Sequence, residues 1–244
     1  MTLRARLMRA VPWLLVVMIA GPGCGHDAAD REYLAALRGQ ETGMSMEEQR
    51  AHLDRAIQLA PGRAQYYETR AGYWIHLRRF DLARADLDRD VALVDRPYAR
   101  FLRGLVACQA GEPARSLGDF DTAIARQPAN TQFYRGRSLA RAATGDAEGA
   151  LRDAEHLVAT VPQQAESFYA RGVALRLLGR DAEAIPDFDR AATLRPELVY
   201  VVEARAQALE ATGDATRSQI DRALAARLRE EQSGCAPCLD PFRY

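Results

Sequence analysis

From Pro97 onward two kinds of segment alternate along the chain. Apolar residues recur every third or fourth position over Phe133 to Thr144, and again over Ala147 to Val161. That spacing places them on one stripe of an amphipathic helix. Each stretch is long enough for about three or four helical turns. Between the two stand a Gly and an acid, as in Gly145-Asp146 and Gly111-Glu112. Glycine relieves the strain of ending one helix, and an acid or a proline suits the start of the next. The pattern predicts pairs of antiparallel helices joined by tight turns.

The pair repeats at one interval. Pro128, Pro162 and Pro196 are 34 residues apart, and so are Gly111, Gly145, Gly179 and Gly213. Arg103, Arg137, Arg171 and Arg205 keep the same step, as do Asp119, Asp153, Asp187 and Asp221. Four residue types on one period mean that a single supersecondary unit has been stacked. These residues resemble the tetratricopeptide-repeat (TPR) family, in which an aromatic, Leu-Gly, Ala, a second aromatic and a closing Pro recur. The second repeat carries Gly104, Ser116 in place of Ala, Phe120, Ala123 and Pro128. The fourth carries Phe168, Gly172, Ala184, Phe188, Ala191 and Pro196. The third keeps Tyr134, Ala150 and Pro162, with Ser138 for Gly and Ala154 for the aromatic. The resemblance implies an all-α fold: a right-handed superhelical solenoid of TPR helix-turn-helix hairpins.

Five such units are expected over residues 63–230, the first one residue short because Arg70 and Arg103 are 33 apart. Residues 31–62 read as a degenerate N-terminal unit. Its second helix is announced by a capping box, Ser45 and Glu48, and closed by Pro61. Its first, around Tyr33 to Arg38, looks short and without a small residue at the packing position. The last unit carries Arg222 where Phe120 and Phe188 sit, which marks it as the cap of the array. Pro186 lies inside a helix and predicts a kink or a late helix start.

The N-terminus reads differently. Arg4, Arg6 and Arg9 precede an apolar run from Ala10 to Ala20, shorter than the roughly 20 residues that span a bilayer and suited to a signal peptide over residues 1–23. The small residues Gly21, Pro22 and Gly23 then lead to Cys24. This resembles the lipobox of bacterial lipoproteins, although Gly21 stands where an apolar residue is usual. The resemblance implies lipidation at Cys24, a linker over 24–30, and a cell-envelope location on the periplasmic side of the outer membrane. An ordinary cleaved signal, giving a soluble periplasmic or secreted protein, is the alternative.

Composition narrows the function. Lysine is absent, so all 33 basic residues are Arg, balanced by 33 acids. The zero net charge argues against nucleic-acid binding. The Arg and Asp that recur 16 apart lie eight residues either side of the turn Gly in the last four units, so each pair should meet across its own hairpin as a structural ion pair. No Gly-rich phosphate loop, HExxH or GxSxG occurs, and no enzyme, cofactor or metal is expected. The TPR resemblance implies protein or peptide partners, held in a groove lined by the first helix of each unit. By register its candidates are Tyr98, Phe101, Arg135, Tyr169, Arg176, Tyr200 and Glu203, unless some of them pack against a neighbouring helix instead. A TPR clamp built on Lys and Asn is excluded by the missing Lys. Cys235 and Cys238, in the tail 231–244, form a CxxC that favours a small disulfide in an oxidising compartment. A thiol or metal protein acting through this CxxC, with the array as its mount, is the alternative function.

Overall fold

The computed structural model describes residues 27–233, among which there are twelve α-helices and no strand. They fall into two compact units divided between Ala60 and Pro61. The first holds α1 (Ala28–Thr42) and α2 (Met46–Leu59). The second holds five hairpins: α3 (Ala64–His76) with α4 (Phe80–Leu93), α5 (Pro97–Gln109) with α6 (Pro113–Arg126), α7 (Thr131–Ala143) with α8 (Ala147–Thr160), α9 (Ala165–Leu177) with α10 (Asp181–Leu194), and α11 (Val199–Ala211) with α12 (Ala215–Ser233). Each helix of this unit packs on the next in sequence, and α5, α7, α9 and α11 also touch in succession. The fold is an all-α helical-repeat solenoid.

In the first unit α2 begins with the expected capping box, in which the Ser45 hydroxyl accepts from Glu48 N–H while the Glu48 carboxylate accepts from Ser45 N–H. Its partner α1 departs from the sequence reading. Asp27 caps it by accepting from Asp30 N–H at 2.8 Å, so the helix starts within the expected linker and runs for 15 residues. A small residue also stands against α2, at Gly39, four residues before the turn glycine Gly43. A Cβ on Gly39 would lie 2.5 Å from Gln49 Cγ, so a larger residue there would displace the Gln49 side chain.

The five hairpins of the second unit turn in one way. Arg79 N–H donates to Trp74 C=O, Glu112 to Ala107, Asp146 to Arg141, Arg180 to Leu175 and Asp214 to Leu209, at 2.8–2.9 Å. This five-residue reach is the Schellman closure, which needs a left-handed residue just past the helix. Gly111, Gly145, Gly179 and Gly213 supply it with φ from 72° to 86°, whereas the first hairpin uses Arg78 at φ 56°. An L side chain is strained there, so this is the one turn of the five whose backbone geometry is opposed by its residue.

Inside the first four of these hairpins two facing positions are adjusted to each other. Gly104 faces the Phe120 ring and Gly172 faces Phe188, where an added Cβ would come to 2.7 and 2.6 Å of ring carbons. Where the aromatic is replaced by Leu87, the facing residue is Ala71 of the same buried cluster. Where it shrinks to Ala154, the opposite residue grows to Ser138, whose hydroxyl donates to Ala150 C=O at 2.9 Å. The ring leaves room only for glycine opposite it, whereas the smaller Ser138–Ala154 pair has a hydrogen bond there and Ala154 packs with Leu157 and Ala170. Cys108 is a buried residue of this kind, with its thiol 3.2 Å from the Ser116 hydroxyl.

Pro186 does not delay its helix. It is the sixth residue of α10, which begins at Asp181, 34 residues after the start of α8. The carbonyl deprived of its usual donor is that of Ala182, an exposed residue, so solvent can satisfy it. Arg222, at the aromatic position of the last hairpin, is exposed and donates to Glu210.

Candidate functional site

The Arg–Asp pairs account for the most regular chemistry in the molecule. Arg70–Asp86, Arg103–Asp119, Arg137–Asp153, Arg171–Asp187 and Arg205–Asp221 each form two parallel bonds from Nε and Nη2, all between 2.6 and 2.9 Å. The five carboxylates are buried. A planar guanidinium matches a carboxylate in this two-pronged way, and burial makes the pair costly to break. Sequence reading missed a second acid at each of three joints. Arg103 Nη1 donates to Asp88, Arg137 to Asp121 and Arg205 to Asp189, at 2.7–2.9 Å. These acids lie on the preceding hairpin, so one Arg closes its own hairpin and fastens it to the last. The signal was available, since Asp121 and Asp189 stand two repeat steps apart. With their Arg saturated by carboxylates, the pairs form a structural spine.

The face made by the first helices is different. Arg135 on α7, Tyr169 on α9 and Tyr200 on α11 come together there, and Arg176 lies two turns further along α9. The Tyr169 and Tyr200 rings meet edge to face with centroids 4.7 Å apart, and Tyr169 also lies 6.2 Å from Phe188 beneath it. Burial lowers the pKa of Arg135, against the opposing pull of Glu166 and Tyr200. Glu166 also faces Arg195 at 3.5 Å. Arg176 donates to Asp181 at 3.0 Å and to Gln207 at 2.6 Å, which sets its guanidinium across α9 and α11. Glu166 sits at the register position of Tyr200, 34 residues earlier, and extending the register to every repeat would have included it.

Three further candidates stand apart from that group. Phe101 is a correction: it is 3% exposed and packs with Phe120 and Phe133, at 5.9 and 5.1 Å, because the next hairpin covers it. It belongs to the core and cannot touch a partner. Tyr98 is exposed on one side of Phe101, and burial of its inner part together with Glu68 raises its pKa. Glu203 is paired with Arg229 of α12. Cys24, Cys235 and Cys238 lie outside the described residues.

No protein-family model and no curated protein matches the chain by sequence. Solved structures do match it in shape. PilW, a widely conserved type IV pilus biogenesis factor, superposes with a TM-score of 0.69 at 17% identity, over 89% of this chain and 97% of that one. A tetratricopeptide repeat protein from Parabacteroides merdae ATCC 43184 gives 0.68 at 16% identity, over 82% and 78%. YrrB, a TPR protein with an unusual peptide-binding site, gives 0.62 at 17%, over 72% and 91%. Stacked helical hairpins in the 34-residue register, turned by glycine and superposing on these structures, give this chain the fold of the tetratricopeptide-repeat proteins.

Proposed function

We propose that the chain is a non-enzymatic interaction scaffold that holds a peptide or helix of another protein against the concave face of its first helices. The observation that carries this reading is the meeting of Tyr169 and Tyr200 beside Arg135, from three successive hairpins, since Tyr and Arg dominate the energetics of partner-binding surfaces. The peptide-binding site of YrrB, on a similar fold, supports it. The test is capture of a partner from membrane extract by the purified chain, followed by titration of the identified partner. Replacing Tyr98, Tyr169 and Arg176 together by Ala should weaken binding at least about tenfold, because two or three such contacts are worth roughly 1–2 kcal/mol each. Unchanged affinity, with helical content preserved by circular dichroism, defeats the reading.

The scaffold is proposed to act in the cell envelope, lipid-anchored through Cys24 on the periplasmic side of the outer membrane. Support comes from Arg4, Arg6 and Arg9, the apolar run to Ala20 and the small residues before Cys24. Mass spectrometry of the mature N-terminus should find a lipid-modified Cys24. A retained Met1, or an unmodified N-terminus at or beyond residue 24, excludes the anchor.

A further inference from the structure

One joint of the array is built unlike the others. Asp90 on α4 takes the position that Ala123, Leu157 and Ala191 fill in later hairpins, and Glu68 on α3 takes the position of Phe101. In the next hairpin those two positions hold buried apolar residues of one cluster. Here they hold two carboxyl groups. Arg96, the residue that caps the start of α5, closes the arrangement. Its Nη2 donates to Glu68 Oε2 at 2.7 Å and to the two Asp90 oxygens at 2.9 and 3.1 Å. The Asp90 side chain is 0% exposed and that of Glu68 15%. A single guanidinium nitrogen thus faces two carboxyl groups that water barely reaches.

Neighbouring arginines are committed to other acids. On α3 and α4, Arg70 is committed to Asp86, which also accepts from Trp74. On α5, Arg100 is committed to Asp95 and Asp119. Tyr98, the remaining titratable group facing Glu68, adds no positive charge. If both carboxyls are ionised the cluster carries a net negative charge in a shielded joint. If one holds a proton, the cluster is neutral and that proton joins the two carboxyl groups in a hydrogen bond.

We propose that Glu68, Asp90 and Arg96 form a proton-operated latch, closing α5 onto the α3–α4 hairpin when the carboxyl pair holds one proton and loosening the joint when it does not. The proton sits on Glu68 and is donated to the Asp90 carboxylate, which keeps its bonds to Arg96. Burial pushes both carboxyl groups above their ordinary range, against the opposing effect of Arg96. The sign follows from this direction. Groups that bind the proton more tightly in the closed joint stabilise it fully below the ordinary carboxyl value of about 4, and lose that contribution as pH rises through their raised values.

The test uses the full chain and needs no partner. Amide exchange at the start of α5, where Arg100 N–H bonds to Arg96 C=O, is followed from about pH 4.5 to 7.5 and corrected for intrinsic rates. In the wild type, protection should fall with rising pH, by up to about tenfold per pH unit for one proton. Glu68→Gln keeps a neutral donor for Asp90, so its protection should stay flat at the low-pH level. Asp90→Asn should also be flat, which serves if the first variant folds poorly. Side-chain carboxyl NMR should show Glu68 titrating above the ordinary range. A wild-type profile that is flat or rises with pH, or the same slope in both variants, overturns the latch.

Discussion

Phe188→Ala is expected to lower the stability of the array by about 3–5 kcal/mol, the usual cost of emptying a buried aromatic site. The ring is fully buried against Gly172, where no side chain exists to relax into the void. Urea denaturation followed by far-ultraviolet circular dichroism should show an earlier midpoint, and a broader or divided transition as hairpins on either side uncouple. Adding Gly172→Ser to Phe188→Ala rebuilds the small-opposite-small pairing seen at Ser138 and Ala154, and should recover part of the loss. If the double variant is no better than the single one, size matching within the hairpin is not what these positions hold.

Arg205→Met should cost about 3–5 kcal/mol at neutral pH, because it strands the Asp221 carboxylate in a site 5% exposed. It also cuts the bond to Asp189, which joins the last hairpin to the one before. Exchange protection should be lost first in α11 and α12, the hairpin fastened through this residue. Two further arms separate charge from packing. A stranded buried carboxylate escapes by taking a proton, so the deficit of the variant should shrink as the solution is acidified. Combining Arg205→Met with Asp221→Leu removes both charges, and replacing a buried pair by apolar residues is often close to neutral. A single variant as stable as wild type would mean that the spine is solvated and contributes little, as exposed ion pairs do.

The candidate surface was legible in outline. Register alone pointed to Arg135, Tyr169, Arg176 and Tyr200, of which Tyr169 and Tyr200 adjoin, with Arg135 near Tyr200. It failed at Phe101, which has the same register position as Arg135 and Tyr169. Burial there depends on Phe133 of the next hairpin, a contact that no pattern within one repeat can contain. It overlooked Glu68 and Asp90 for a related reason: each reads as an ordinary surface acid on its own helix, and only the packing of α5 brings Arg96 against both.

The sequence by itself determined the architecture, the register and the turns, because each rests on local chemistry: helical periodicity, glycine at a left-handed position, and a fixed step that places each Arg opposite its Asp. Tertiary structure decided what depends on neighbours. It showed which aromatic is covered, how far α1 extends, that Gly104 makes room for the Phe120 ring, and that three joints add a second acid to their Arg. Local signals are written along one helix, whereas burial and charge balance are set by side chains that arrive from the adjacent hairpin.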